Sequence, residues 1–218
     1  MSDPTNPSPP PVGRGERTVT EAIAAPVATR RQDQSGWVAA LMELGALDRA
    51  VYEAVATTPT EHLDVPFRRL SRAADGGVLW LVMAAAVAAT RRARGRRVAA
   101  EGVASLAVTA ISVNLGAKAV FRRRRPDRAG HDLTPARRVP TPTSTSFPSG
   151  HSATSFAFAY TISRHLPFLG IPIRLVAAAV AYSRVHIGVH YPGDVIVGSI
   201  MGAGTAAAVG SAWDHRRR

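Results

Sequence analysis

Long apolar stretches alternate with short basic ones along most of this 218-residue chain. The apolar stretches predict α-helices, which lie at about 73–90, 98–120, 147–163, 168–182 and 195–213. A helix needs about 20 apolar residues to cross a bilayer, so these segments are long enough or marginal. They are rich in Ala, Gly and Val and only weakly hydrophobic, which leaves a soluble helical bundle with buried core helices as an alternative.

A sixth segment, 37–57, carries apolar residues at helical spacing but is interrupted by charged ones such as Glu43 and Asp48. This pattern predicts an amphipathic helix that packs on the bundle or lies at the membrane interface. The sequence therefore predicts an all-α, membrane-embedded bundle of five or six helices over residues 37–213. Residues 1–36 hold six prolines and little apolar material, which predicts disorder, and residues 214–218 form a basic tail.

The charge balance indicates an anionic partner, because 27 Lys and Arg residues against 15 Asp and Glu give a net charge of +12. The arginines cluster between the apolar segments, as they do in membrane proteins. Aromatic residues are few and no RNA-binding or DNA-reading motif is present, so we expect lipid head groups or a phosphorylated substrate as partner and no nucleic acid. The absence of cysteine excludes a thiolate nucleophile and cysteine-bound metals.

Three short motifs in a fixed order offer the parts of a phosphate-hydrolysing site. They are Lys118 with six residues before Arg125-Pro126, then Pro148-Ser149-Gly150-His151, then Ser183-Arg184 followed by His190 and Asp194. Phosphoryl transfer needs a nucleophile, cations over the phosphate oxygens and an acid for the leaving group. His190, oriented by Asp194, is the candidate nucleophile, and the candidate cations are Lys118, Arg125 and Arg184.

Each motif also has a purely structural interpretation when it is taken alone. Asp194 could simply cap the last helix, with His190 as a loop residue, and Ser149 could cap the helix that contains His151. The arginines around Arg125 could form a general electrostatic funnel or contact lipid head groups. The co-occurrence of all three motifs in order favours the catalytic interpretation.

The motif set resembles that of the type 2 phosphatidic acid phosphatase (PAP2) superfamily, over residues 118–194. The resemblance implies a PAP2-type helical core, metal-free chemistry without a cofactor, and a phosphohistidine intermediate. It also implies that His151 is the general acid and that Ser149 and Gly150 donate to phosphate oxygens. The stretch Ser71–Gly76, together with Asn114 and Lys118, is similar to an actinobacterial branch that includes phosphatases of decaprenylphosphoryl-phosphoribose. Undecaprenyl pyrophosphate, phosphatidic acid and phosphatidylglycerol phosphate stay open as substrates.

A metal site is the main chemical alternative, since His186 and His190 have the spacing of paired ligands on a helix and Asp194 follows four residues later. Gly188 and Pro192 interrupt that helix, and no further acidic cluster would complete a two-metal site. Two other protein classes also compete with a membrane phosphatase. They are a soluble enzyme like the acid phosphatases or haloperoxidases, and a non-catalytic basic protein associated with membrane or nucleic acid.

The order of motifs and apolar segments predicts where the site lies in a multi-pass protein of the cell membrane. Lys118 ends one segment, His151 begins the next, Arg184 ends another and Asp194 begins the last. All four residues can meet only if these helix ends share one membrane face. The arginine distribution is nearly even, but several site-side arginines are reserved for phosphate, which favours an extracytoplasmic site.

Overall fold

The computed structural model describes residues 36–90, 92–128, 133–137 and 139–216. In this part of the chain there are helices and no strands, and the long helices are α1 (Gly36–Thr57), α2 (Glu61–Ala73), α3 (Val78–Thr90), α4 (Arg92–Ile111), α5 (Gly150–His165), α6 (Gly170–His186) and α7 (Pro192–His215). Helix α4 continues through a π-helical turn, Ser112–Ala117, to a last turn at Lys118–Val120. The predicted disorder of residues 1–36 falls, except for Gly36, outside the described residues, as do the last two residues of the basic tail.

The prediction of five or six helices is wrong by one, because it did not include α2. This helix is polar, with Glu61 and Asp64 in its first turn and Arg72 in its last, which suits the helix dipole. A helix of this composition does not stand out as a long apolar segment in the sequence. Its C-terminal end turns into α3 at Gly76 and Gly77, which have φ angles of 61° and 78°. Residues with side chains rarely adopt these angles, so the two glycines allow the 55° bend between α2 and α3.

Contacts divide the chain into two units, Met1–Leu47 and Asp48–Arg218. The described part of the first unit is the beginning of α1, where large apolar side chains such as Trp37 and Leu44 are exposed. The second unit begins with the rest of α1, where Tyr52 is buried. The predicted amphipathic helix is confirmed over nearly its predicted bounds.

Helix α5 forms the centre of the second unit and packs against α4, α6 and α7. Its inward residues are mostly small, and Phe158 packs against Trp80 of α3 with 5.6 Å between ring centroids. Gly198 and Gly202 of α7 face the backbone of α5, where a Cβ atom would collide with the carbonyl groups of Ser149 and Ala153. The glycine pair therefore allows α5 and α7 to pack closely, which brings the start of α7 next to the start of α5.

Three helices of the described chain are long and apolar enough to cross a membrane: Ala93–Val120, Pro167–His186 and Pro192–His215. The bent pair of α2 and α3 could supply a fourth crossing. Helix α5, which matches the predicted segment 147–163, has only 16 residues and is largely enclosed by its neighbours. Large apolar side chains such as Leu115, Ile171 and Ile200 point outward, as expected for helices that contact lipid.

Candidate active site

A cavity of about 330 Å³ opens in the second unit where α4 and α6 end and α5 begins. Six of the eight predicted site residues line it: Lys118, Arg125, Gly150, His151, Arg184 and His190. Apolar side chains, among them Leu106 and Ala110, form part of the wall, and Asn114 and Thr154 add polar groups. The separate helix ends therefore meet at one cavity, as predicted. Cationic groups outnumber anionic ones around it.

Behind the cavity, the carboxylate of Asp194 is buried and fully surrounded by donors. Its Oδ2 atom lies 3.4 Å from Nδ1 of His190 and accepts hydrogen bonds from the Tyr191 amide, at 2.9 Å, and from the Ser146 hydroxyl. Its Oδ1 atom accepts from Nη1 of Arg123 at 2.9 Å. With these donors the carboxylate stays ionised and its position is fixed, so it can orient the imidazole of His190.

The opposite nitrogen of His190, Nε2, lies on the cavity side, 3.3 Å from Nη1 of Arg125. Burial lowers the pKa of His190 to about 4, the nearby Asp194 carboxylate raises it in part, and the charges of Arg125 and Arg184 lower it further. The imidazole is therefore neutral near pH 7. With Nδ1–H directed at Asp194, the lone pair of Nε2 faces the cavity, which is the state that a nucleophile requires.

The turn after α6 holds His190 in place. The amides of Val189 and His190 both donate to the backbone carbonyl of Arg184, at 3.1 and 3.2 Å. Gly188 occupies the left-handed region, with φ of 72°, which lets the chain fold back on the end of α6. Two residues of the third motif are thereby locked together through the backbone.

Arg125 is anchored to the loop that precedes α5. Its Nε donates to the carbonyl of Ser144 at 3.0 Å, its Nη1 to the carbonyl of Val189 at 2.7 Å, and its Nη2 to the carbonyl of Thr145 at 3.3 Å. Nη2 also lies 3.2 Å from the Ser144 hydroxyl, which accepts at 3.4 Å from Nζ of Lys118. A single oxygen thus sits between two cations, in the kind of environment that a phosphate oxygen would prefer.

Arg184 and His151 lie on the other side of the cavity, near Asp75. Arg184 is buried and donates through Nη1 to the Ser71 hydroxyl, and the same Nη1 is 3.9 Å from Oδ1 of Asp75. Nε2 of His151 is 2.8 Å from that same carboxylate oxygen. The two predicted histidines therefore face one cavity, His151 from the first turn of α5 and His190 from the turn after α6, and each has its own aspartate.

Ser149 and Gly150 differ in their position: Ser149 caps α5, and Gly150 lines the cavity. Ser149 is fully buried, caps α5 by accepting from the Ser152 amide at 3.4 Å, and donates its own amide to the Asp194 carbonyl at 3.0 Å. These bonds direct Ser149 away from the cavity. Its role as a donor to phosphate stays a prediction, and it requires Ser149 to exchange these hydrogen bonds for bonds to phosphate oxygens. Gly150 lines the cavity near Nζ of Lys118, and the amides of the first turn of α5 have no partner within the helix.

The match to a family model now adds to this geometry. The model described as "PAP2 superfamily" matches residues 98–218, which is more than half of the chain. The chain belongs to the PAP2 superfamily. The recognition of the family, the all-helical fold and the phosphatase class predicted from the sequence are thereby confirmed.

Individual PAP2 relatives agree with this assignment. Decaprenylphosphoryl-5-phosphoribose phosphatase of Mycobacterium tuberculosis is 36% identical over 154 residues, covering 69% of this chain and 81% of that protein. Among solved structures, LpxE of Aquifex aeolicus has a TM-score of 0.60 at 24% identity, covering 75% of this chain and 94% of that one. The transmembrane PAP2 type phosphatidylglycerolphosphate phosphatase of Bacillus subtilis has a TM-score of 0.58 at 22% identity, covering 92% and 96%. The two structures establish the fold, and with the apolar helices they identify a membrane protein.

The PAP2 motifs leave out several residues that the structure places in contact with the site. Arg123 bridges Asp194 and Asp48 of α1, with 2.6 Å between its Nη2 and Oδ2 of Asp48, and stacks over the Tyr191 ring at 4.2 Å. Asp48 also accepts from the amide of Gly193 at 2.6 Å. Only a weak signal in the sequence marks these two residues: Arg123 belongs to a run of four arginines, and Asp48 is one of the charged residues that interrupt α1.

The metal alternative requires His186, His190 and Asp194 to converge, and they do not. Nε2 of His186 is 2.7 Å from Oδ1 of Asp64, in a separate buried cluster. Within the described ranges, no group of three or more His, Cys, Asp or Glu side chains is placed to hold a metal ion. The metal-free chemistry expected from the PAP2 resemblance stays a prediction.

Proposed function

We propose that this chain hydrolyses the phosphate ester of a membrane lipid through a phosphohistidine on His190, without a metal ion. The observation that carries the proposal is the cavity itself: a neutral imidazole nitrogen faces a space lined by Lys118, Arg125 and Arg184. A phosphate group in this space would have a nucleophile on one side and three cations around its oxygens.

In the first step, Nε2 of His190 attacks phosphorus, the bond to the leaving oxygen breaks, and that oxygen takes a proton from His151. The new N–P bond makes the imidazole cationic, and the fixed carboxylate of Asp194 compensates that charge through Nδ1–H. Lys118, Arg125 and Arg184 neutralise the charge on the equatorial oxygens. The distances from His190 to Asp194 and to Arg125, together with the PAP2 motif positions, support these roles.

In the second step, water attacks the phosphohistidine, the N–P bond breaks, and inorganic phosphate leaves. His151, which lost its proton in the first step, accepts one from the water and returns to its starting state. The proton count therefore closes over one turnover. Nothing beyond water and the chain's own side chains is required.

Lipid as the source of the phosphate group is supported by the surroundings of the cavity. It opens at the ends of helices whose outward side chains are apolar, so a head group could enter while its tail stays in the bilayer. The arginine distribution supports a cell-membrane enzyme with its site on the extracytoplasmic face. Residues 37–213 would form the phosphatase domain, and the segment 1–36 would be dispensable for hydrolysis.

The relatives narrow the lipid class. A protein that is 36% identical over most of its length is named for a decaprenyl-linked phosphoribose substrate, which favours a polyprenyl-linked phosphate over a glycerolipid for this chain. The similarity of residues 71–76 noted from the sequence points the same way. We therefore propose a polyprenyl-linked phosphate as the substrate class of this chain.

The test is a phosphate-release panel with the purified full chain in detergent. Polyprenyl-linked monophosphates and diphosphates, phosphatidic acid and phosphatidylglycerol phosphate are compared at equal mole fraction in the micelle. We expect turnover of at least one polyprenyl-linked phosphate, with kcat/KM above that of the glycerolipids. Hydrolysis of soluble phosphate esters alone would instead favour the acid-phosphatase alternative, and no release from any substrate would contradict the proposal.

A further inference from the structure

Asp75 is an acidic residue at the edge of a site that otherwise collects cations. Its side chain is 58% exposed, and its Oδ1 atom lies 2.8 Å from Nε2 of His151 and 3.9 Å from Nη1 of Arg184. It does not belong to any of the three motifs, and the mechanism above gives it no task. A carboxylate in this position weakens the attraction of the cavity for anions, so its presence needs a reason.

The bend between α2 and α3 places Asp75 beside the cavity, where its carboxylate contacts His151. The next two residues, Gly76 and Gly77, line the cavity and adopt positive φ angles that a side chain would oppose. Ala74, directly before Asp75, is buried in the core and also lines the cavity. The carboxylate is therefore carried on a defined turn and is directed towards the end of the cavity that holds His151.

That end of the cavity belongs to the leaving group. A general acid must lie within hydrogen-bond reach of the oxygen that it protonates, so the leaving oxygen must approach His151. The atoms attached to this oxygen then come close to Asp75, which contacts the same imidazole. The nearby cations compensate this carboxylate only in part, because Nη1 of Arg184 is 3.9 Å away and donates to the Ser71 hydroxyl, while Lys118 and Arg125 meet on the Ser144 hydroxyl.

The leaving group differs in charge between the two substrate classes that the proposed function leaves open. A phosphate monoester releases an alcohol, which is neutral once protonated and whose neighbouring hydroxyls can donate to a carboxylate. A diphosphate releases a lipid phosphate, which is anionic and would sit against Asp75. Like charges at close range in a partly desolvated site repel strongly enough to change rates severalfold or more.

We propose that Asp75 is a specificity-determining residue that selects phosphate monoesters of hydroxylated lipids over lipid diphosphates by repelling an anionic leaving group. The inference rests on the proposed lipid phosphatase function and names the substrate class of the same site. Asp75 contributes no atom to the reaction. Its effect on the imidazole of His151, which also faces Arg184 and His190, is that of a positioning residue.

The test compares two lipids with the same polyprenyl tail: a monophosphate whose ester oxygen belongs to a hydroxylated sugar, and a diphosphate. The full chain is used in detergent, and kcat/KM is measured for both. The wild type should prefer the monophosphate. Asp75→Asn keeps the shape and removes the charge, so kcat/KM for the diphosphate should rise about tenfold in absolute terms. Asp75→Glu retains the charge and should keep the wild-type preference.

A rise in the diphosphate rate is the required result, because a loss of monophosphate turnover alone would also follow from a misplaced His151. Equal losses on both lipids, or a ratio within twofold of wild type, would overturn the role of Asp75 and leave the phosphatase function standing. A wild type inert on both lipids would remove the proposed function and this inference together. Asp214→Asn is the matched control, since it removes another partly exposed carboxylate paired with an arginine, outside this cavity, and should leave the ratio unchanged.

Discussion

Two histidine–aspartate pairs lie close together in this chain and differ in almost every respect that matters for chemistry. His190 meets Asp194 through Nδ1, and its Nε2 faces the cavity beside Arg125. His186 meets Asp64 through Nε2 at 2.7 Å, and its Nδ1 is buried without a hydrogen-bond partner. The first imidazole has one nitrogen held and one open to a ligand, whereas the second has no open nitrogen.

The cations around the two pairs show the same contrast. Nε of Arg137 donates to Asp64 at 2.7 Å, and its other nitrogens donate to the backbone carbonyls of Val55, Ala56 and Thr58. Asp64, Arg137 and His186 are each at most 3% exposed, so this cluster closes on itself and joins α1, α2 and α6 to the loop before α5. Around His190 the cations outnumber the carboxylates and point into an open space. A catalytic pair is distinguished by this unbalanced charge, not by the His–Asp contact.

The largest expected effect separates the two histidines. His190→Asn should abolish the phosphoenzyme and lower turnover by about a hundred-thousandfold, because it removes the nitrogen that attacks phosphorus in the proposed mechanism. His186→Asn removes a structural contact and should leave phosphohistidine formation detectable. Rapid-quench trapping of an acid-labile, base-stable phosphohistidine is the measurement. Labelling that survives in the His190 variant and disappears in the His186 variant would reverse the assignment.

The second effect compares phosphoenzyme formation in the His151 and Asp194 variants. The substrate is p-nitrophenyl phosphate, whose leaving group needs little protonation. His151→Asn should lose about a hundredfold in phosphoenzyme formation, since only proton donation is removed. Asp194→Asn should lose about a thousandfold or more, between the two histidine variants, because the nucleophile remains but is unoriented and its positive charge is uncompensated. A rate of phosphoenzyme formation in Asp194→Asn within about threefold of wild type would show that Asp194 does not orient His190.

The third effect concerns stability and tests the closed pair. Asp64→Asn leaves Arg137 buried without its partner, which costs about 3–5 kcal/mol and should lower the unfolding midpoint in detergent by about 10 °C. Turnover per folded molecule should change less than threefold, because the cluster lies outside the cavity. Asp194→Asn provides the opposite case, with a large loss of turnover. A large loss of turnover in folded Asp64→Asn protein would join the two pairs into one functional unit.

The fourth effect is the acid limb of activity. Burial lowers the pKa of His190 to about 4, so Nε2 is unprotonated above that pH and becomes protonated as the pH falls through it. The groups that face His190 are Asp194, Arg125, Arg184 and His151, of which only the first opposes the lowering. We expect kcat/KM of p-nitrophenyl phosphate hydrolysis to fall about tenfold per pH unit below about 4. An acid limb centred near 6.5 in wild type would contradict the lowered pKa of His190.

The smallest expected effect is none at all. If Lys118, Arg125 and Arg184 supply the positive charge, excess EDTA should leave turnover unchanged, while vanadate, which imitates five-coordinate phosphorus, should inhibit. A matched sample with added magnesium serves as the control. Activity that EDTA removes and a divalent ion restores would show that the cationic side chains are not sufficient.

The convergence of the site could be predicted because the motif residues lie at or next to helix ends, and the order of the motifs along the chain determines which ends can meet. One cavity is in fact lined by Lys118, Arg125, His151, Arg184 and His190. The contact between Asp48 and Arg123 could not be predicted, since it joins residues 75 positions apart and depends on how α1 approaches the start of α7. Helix α2 was not predicted because its amphipathic pattern is short and polar. The sequence likewise shows Ser149 in a motif, but only packing against α7 reveals that its amide is already used.

The anchoring of Arg125 has a consequence for how product leaves. Its guanidinium already donates to the carbonyls of Ser144, Thr145 and Val189, so a phosphate ion that binds there exchanges existing bonds and gains little net free energy. Free phosphate should therefore be a weak product inhibitor. A lipid substrate has a tail whose burial can offset this exchange, and a small soluble ester does not. The same arginine that helps to hold the reacting phosphate would thus restrict efficient turnover to esters attached to a membrane.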